Sequence, residues 1–61
     1  MNEVRILKRL EVERITGLSR STIYLKIEKN EFPKQIRLST RSVGWIESEI
    51  QEWLRERISL R

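Results

Sequence analysis

The chain has 61 residues, with thirteen Lys and Arg against nine Asp and Glu and a formal net charge of +4. This length predicts one domain over residues 1–61, ordered from about residue 6 to residue 58, with fraying ends and a thin core. The sequence has no Cys and no His, so disulfides and thiolate metal sites are excluded and the commonest general base is missing. No segment approaches the roughly 20 apolar residues of a membrane span. We therefore expect a soluble protein with no membrane association, no enzyme activity and no metal or other cofactor.

The first elements in chain order are a short strand that Ile6 and Leu7 could start and a helix from about Arg9 to about Thr16. Within this helix Val12 and Ile15 share one side, which predicts that both face the core. Gly17 follows and can adopt the positive φ that commonly ends a helix. A short helix closed by a tight turn is the first half of a helix-turn-helix.

A second helix is predicted from about Ser19 to about Asn30. The Ser19 hydroxyl can accept a hydrogen bond from the amides of the first turn, which is typical of an N-cap. Ile23 and Ile27 lie four residues apart and are expected to face the core. Asn30 tolerates the left-handed backbone that stops a helix. The capped start with its small and basic side chains indicates a helix suited to the DNA major groove.

Two short alternating segments follow, over residues 35–38 and 43–45. Ile36 and Leu38 share one face of the first segment, and Val43 and Trp45 share one face of the second. The four residues 39–42 between the segments can close a β-hairpin. A hairpin beside a helix-turn-helix is a wing, and because two strands alone are marginal in water it must pack on the helices.

The last element is the clearest amphipathic helix. Its apolar residues recur at i, i+4, i+7, i+8 and i+12, and they are Ile46, Ile50, Trp53, Leu54 and Ile58. This spacing predicts a structural helix whose apolar face packs against the rest of the domain. Its carboxylates lie on the polar side, so we interpret them as a solvated face rather than as paired catalytic acids; they are Glu47, Glu49, Glu52 and Glu56.

Charge is distributed unevenly along the chain. Between residues 20 and 41 six basic residues face only two acidic ones, whereas acidic residues dominate the last helix. This separation indicates one face for phosphates and another turned away from them. Trp45 and Trp53 could serve as base-stacking platforms, but their alternation and helical spacing favour core packing.

Three sequence blocks together resemble a known family. They are Thr-Gly-Leu-Ser-Arg-Ser-Thr-Ile-Tyr at residues 16–24, Phe-Pro-Lys at residues 32–34 and Ser-Val-Gly-Trp-Ile-Glu-Ser-Glu-Ile-Gln-Glu-Trp-Leu at residues 42–54. In this order the chain resembles the AlpA-type prophage regulators, winged-helix proteins related to phage excisionases and to the DNA-binding domains of MerR-type regulators. Two positions depart from the family pattern: Asn30 stands where glycine is usual, and Leu25 stands where a polar or basic residue is common.

The resemblance implies an α+β, mainly α fold: a small winged helix-turn-helix with three helices and a two-stranded β-hairpin wing. It also implies a sequence-specific regulator of transcription that binds double-stranded DNA, in the cytoplasm of a bacterium and encoded by it or by a phage or prophage. The helix from about Ser19 to Asn30 would enter the major groove, and the wing from about Ile36 to Trp45 would lie on the flanking groove. The expected partners are duplex DNA, a second copy in a homodimer or tandem array, and phage integrase or RNA polymerase.

Two other functions stay open at this stage. One is an excisionase-like recombination directionality factor, which bends DNA and recruits integrase. The other is a protein-interaction module with the same fold and no DNA binding, its acidic last helix docking on a basic partner. The basic surface between Arg20 and Arg41 favours DNA, because a protein-interaction role does not require it.

The candidate DNA-binding residues lie on the second helix and the wing: Ser19, Arg20, Ser21, Thr22, Tyr24, Leu25, Lys26, Lys29, Arg37, Ser39, Thr40 and Arg41. Arg20 could read guanine in bidentate fashion, or contact a phosphate. Tyr24 could donate to a phosphate or pack against the wing. Leu25 could touch a thymine methyl or be one of the scattered apolar residues of any surface. Arg37 and Arg41 could enter a narrow minor groove or belong to a flexible polar turn.

Overall fold

The computed structural model describes residues 3–61, so Met1 and Asn2, at the end expected to fray, lie outside the described residues. Over this range the elements are β1 (Ile6–Leu7), α1 (Arg9–Thr16), α2 (Arg20–Glu28), β2 (Ile36–Ser39), β3 (Ser42–Ile46) and α3 (Glu47–Ser59). The α+β class and the winged helix-turn-helix are confirmed. Ile46, assigned by its spacing to the last helix, ends β3 and precedes the first turn of α3.

The sheet has three strands in the order β1-β3-β2, rather than the two expected of the wing alone. Both pairings are antiparallel, and Ile6 lies opposite Ile46 while Leu7 lies opposite Trp45. The amide of Glu47 extends this pairing by donating to the Arg5 carbonyl at 2.8 Å. The central position of β3 ties the wing to the start of the chain.

The turn between α1 and α2 has the predicted geometry. Gly17 has φ 75° and its amide donates to the Glu13 carbonyl at 2.8 Å. The Ser19 hydroxyl accepts from the Thr22 amide at 3.2 Å, which makes Ser19 the N-cap of α2. The predictions for Gly17 and Ser19 are confirmed.

The end of α2 is also defined by local hydrogen bonds. Asn30 has φ 59°, and its amide donates to the Ile27 carbonyl at 3.0 Å. The next amide, of Glu31, donates to the Lys26 carbonyl at 2.8 Å. This pair of bonds is the Schellman motif, which satisfies the last carbonyls of a helix. The prediction that Asn30 stops the helix is confirmed.

Five of the six elements contribute to a small core, and so does the loop after α2. The buried side chains are Leu7, Val12, Ile23, Phe32, Trp45 and Ile50. Two apolar residues expected on core faces lie outside it: Ile15 is 41% exposed and Ile58 is 57% exposed. Each lies in the last turn of its helix, beyond the reach of a core this thin.

The two faces of the hairpin differ in environment. Val43 and Trp45 face the helices, and Trp45 is fully buried. Ile36 and Leu38 share the opposite face, which points outward, and both are partly exposed. Gly44 lies beneath them: a Cβ there would collide with the Ile6 side chain and come within 3.0 Å of Leu38. The absence of a side chain at Gly44 therefore lets the side chains of Ile6 and Leu38 pack over the central strand.

Gly17→Ala tests the backbone requirement at the turn. A Cβ at this position would meet no atom within 4 Å, so the penalty is conformational, and we expect a loss of about 1–2 kcal/mol in the free energy of unfolding. Urea denaturation measures it. Asn30→Gly is the control, because glycine adopts positive φ more readily than asparagine, and its urea midpoint should be unchanged or higher. An unchanged midpoint for Gly17→Ala would contradict this account.

Candidate nucleic-acid interface

One face of α2 is turned away from the core. Ile23 is fully buried and Ile27 packs on the core from the same side. On the other side Ser21, Leu25 and Lys29 are all exposed and recur every four residues, so they form a single row along the helix. We call these three residues the outer row of α2.

The first turn of α2 lies at one end of the outer row. The Ser19 hydroxyl donates to the Thr22 hydroxyl oxygen at 2.9 Å in addition to accepting from the Thr22 amide. Arg20 is exposed beside this cap. The N-terminal end of a helix carries partial positive charge and favours anions such as phosphates. Ser19, Arg20 and Thr22 therefore come together at an end of α2 that suits a phosphate.

Tyr24 connects α2 to the sheet. Its ring lies edge-on to Trp45, with centroids 6.2 Å apart, and the Arg20 guanidinium lies 6.0 Å from its centroid. The side chain is half-buried, which is the packing alternative described above. Donation of its hydroxyl to a phosphate remains a prediction.

The wing places its basic side chains at the surface. Arg37 lies opposite Val43 in the β2–β3 pairing, so it projects on the helix-facing side of the hairpin. Ser39 pairs with Ser42, which limits the turn to Thr40 and Arg41. All four candidate residues of the wing are exposed, namely Arg37, Ser39, Thr40 and Arg41.

The start of α1 shares a groove with the tip of the wing, which the sequence pattern does not predict. Lys8, Arg9 and Leu10 line a shallow groove together with Arg41. Arg9 pairs with Glu13 one turn along the helix, whereas Lys8 is exposed. Two consecutive basic residues at the start of a helix are a sequence signal that could have indicated this part of the surface. Lys8 joins the candidate surface because it lines the same groove as Arg41.

Lys26 and Lys29 differ in placement. Lys29 is exposed on the outer row, but Lys26 is half-buried and lies on the flank of the helix. Glu28 is exposed near Leu25, so the outward side of α2 is mixed in charge. The candidate surface is cationic mainly at the start of α2, at Lys29 and at the wing.

The two tryptophans support the fold, Trp45 from inside the core and Trp53 from a partly buried position against it. The Trp45 indole donates to the Pro33 carbonyl at 3.0 Å, and the Trp53 indole donates to the Glu31 carbonyl at 2.8 Å. Trp53 also packs edge-on against Phe32, with ring centroids 4.8 Å apart. These bonds hold the loop between α2 and β2 onto the core. The expectation of core packing is confirmed for Trp45, and its complete burial excludes base stacking there.

Other kinds of site find little support in the described part of the chain. Residues 3–61 contain no group of three acidic, His or Cys side chains placed to hold a metal ion. None of the helices in that range is long and apolar enough to cross a membrane. Glu47 lies at the start of α3 and forms an ion pair with Arg5, its carboxylate oxygen 3.8 Å from the Arg5 Nε.

Comparison with known proteins agrees with this arrangement. A family model described as prophage CP4-57 regulatory protein (AlpA) matches residues 5–58. The chain belongs to the AlpA family. A relative named DNA-binding transcriptional activator AlpA, from Escherichia coli strain K12, is 44% identical over 63 residues, covering 93% of this chain and 90% of the relative. An uncharacterised protein, ORF88 of Enterobacteria phage P4, is 44% identical over 59 residues, covering 97% of this chain and 67% of its own length.

Ser19→Ala tests the cap that orients the first turn of α2. We expect it to lower the free energy of unfolding by about 1 kcal/mol, because the amide of Thr22 loses its acceptor. Ser19→Asn supplies another side-chain oxygen and should stay close to the native protein. Chemical denaturation followed by far-UV circular dichroism makes the comparison, and equal stability of the Ala and Asn variants would count against the cap.

Proposed function

We propose that this AlpA-family chain is a sequence-specific regulator of transcription that binds double-stranded DNA. α2 would lie in the major groove and the wing on the flanking groove. The observation that carries the proposal is the outer row of α2, exposed on a helix whose opposite side is buried and whose ends are both capped. Such a helix is rigid and accessible, and the major groove is wide enough to admit it.

In this proposal the start of α2 contacts DNA most closely. Arg20 would donate to the O6 and N7 of a guanine, the commonest specific contact in the major groove. Ser21 would reach a base edge or a phosphate oxygen. Ser19 and Thr22 would contribute mainly through the cap, which directs the amides of the first turn toward a phosphate.

The remaining polar and basic candidates would act on the DNA backbone. Lys26 and Lys29 would add phosphate attraction, and the Tyr24 hydroxyl would donate to a phosphate beside the wing. Arg37 and Arg41, with Ser39 and Thr40, would hold the flanking groove. The groove shared by Lys8 and Arg41 would extend this contact to the start of α1.

One copy of so small a domain would bind weakly, since single modules bury about 600–1,000 Å² of protein surface. We therefore propose that copies act together, as a homodimer or a tandem array on neighbouring sites. The acidic side of α3 carries Glu49, Glu52 and Glu56 at the surface. It would remain available to phage integrase or RNA polymerase, in the cytoplasm of the bacterium.

Arg20→Ala combined with Arg41→Ala tests the assigned surface. Removing two phosphate or base contacts should weaken binding to the DNA upstream of the chain's own gene at least tenfold. It should also reduce the slope of log affinity against log salt concentration by about one, because Arg41 is assigned to the DNA backbone and Arg20 to a base edge. Gel-shift titrations at several salt concentrations measure both quantities.

The matched control is Arg55→Ala combined with Arg61→Ala, which removes the same charge from α3 and the chain end. It should change affinity much less and leave the slope nearly unchanged. Equal losses in the two double variants would mean that net charge, and not the assigned surface, carries binding. A flat salt response of the native protein would favour a protein partner over DNA.

The pair Ser19→Asn and Ser19→Asp separates folding from DNA contact. Both residues are good N-caps, so both variants should unfold at similar urea concentrations. The aspartate places a negative charge where a phosphate is proposed, so its affinity for the same DNA should fall at least fivefold below that of the asparagine variant, most clearly at low salt. Equal affinities of the two variants would contradict a phosphate contact at the start of α2.

A further inference from the structure

Leu25 is an apolar side chain at the centre of an otherwise polar row. It is 51% exposed, and its neighbours one turn away on either side are Ser21 and Lys29. Among the large apolar residues exposed in residues 3–61, Leu25 is the one that lies on α2. Leucine at this position therefore contributes an apolar contact surface rather than a hydrogen-bonding group.

The surrounding structure holds Leu25 in a fixed direction. Ile23 is fully buried on the other side of the helix, so α2 has little freedom to rotate about its axis. The Ser19 cap fixes the start of α2, and the left-handed Asn30 fixes its end. A half-exposed leucine on so well-defined a helix presents the same methyl groups to any surface that α2 meets.

The major groove offers few apolar features for such a side chain. Base edges there are hydrogen-bond donors and acceptors, with the thymine C5 methyl as the apolar exception. Leucine over a cytosine amino group or a guanine acceptor would remove water from that group without replacing its hydrogen bond, which is unfavourable. A leucine in the centre of the outer row thus favours thymine by contact and disfavours other bases by desolvation.

We infer that Leu25 is a specificity-determining residue that packs on the C5 methyl of a thymine in the bound DNA. This rests on the proposed function, because it requires α2 to lie in the major groove. Burial of one methyl group corresponds to about a three- to fivefold change in affinity.

Replacing thymine with uracil tests the contact, since this change removes the C5 methyl and keeps the base pair. Duplexes that bind the native protein are first selected from a random library. Each thymine of a selected duplex is then replaced singly by uracil, and affinities are measured by fluorescence anisotropy. We expect one position at which uracil weakens binding of the native protein about three- to fivefold. Leu25→Ala should bind the thymine and uracil duplexes equally at that position.

Lys29→Ala is the matched control from the same row. It should weaken binding to both duplexes by the same factor and keep the ratio between thymine and uracil. Because Leu25 is half exposed and outside the core, Leu25→Ala should keep the native circular dichroism spectrum and melting temperature within a few degrees.

The results separate this inference from the proposed function. Salt-dependent binding with no uracil-sensitive position, or a uracil effect that persists in Leu25→Ala, overturns the role of Leu25 and leaves DNA binding standing. Failure of the native protein to enrich any duplex from the library overturns both. Loss of the uracil effect in Leu25→Ala, with the effect kept in Lys29→Ala, supports the inference.

Discussion

The burial of Trp45 is the constraint on which the rest of the structure depends. Trp45 lies on the central strand β3, opposite Leu7 of β1, and its ring meets Tyr24 of α2 edge-on. Its indole N–H donates to the Pro33 carbonyl, so the loop after α2 is held by the same side chain. One fully buried residue therefore connects the sheet, the second helix and the loop between them. In a chain of this length there is little other apolar volume to do so.

This arrangement divides α2 into two sides with separate roles. Ile23 and Ile27 pack on the core and hold the helix in place, and the outer row is exposed at the surface. Because the anchoring residues and the outer row lie on different faces, substitutions on the outer row should cost folding little. The caps at Ser19 and Asn30 serve both sides, since they determine where the helix begins and ends.

The wing is held in position by different interactions from those that hold α2. All four residues of β2 are exposed, and the strand is held by its pairing with β3. This pairing positions its basic tip. There Arg41 lines one groove with Lys8, which precedes α1. The position of the wing therefore depends on the pairing of β3 with both β1 and β2, whereas the exposed face of α2 depends on the local geometry of one helix. In the proposed function α2 would read base edges and the wing would contact the DNA backbone.

The sequence by itself determined the features whose causes lie within a few residues. The ends of α1 and α2 follow from Gly17, Ser19 and Asn30, because caps and left-handed residues act through neighbouring amides and carbonyls. The hairpin and the last helix follow from apolar periodicity, and three motif blocks indicated the family. The exposure of the outer row of α2 also followed, since one buried face implies the opposite exposed one.

Only the tertiary structure decided what depends on residues far apart in the chain. The addition of β1 to the sheet pairs positions some forty residues apart, which a two-residue strand signal cannot specify. The groove that Lys8 shares with Arg41 of the wing tip has the same origin. Periodicity also could not show that Ile15 and Ile58 lie beyond the core, because it gives the direction of a side chain and not the distance to which the packed interior extends. Pairing and packing are decided by the whole chain at once, whereas capping and periodicity are decided locally.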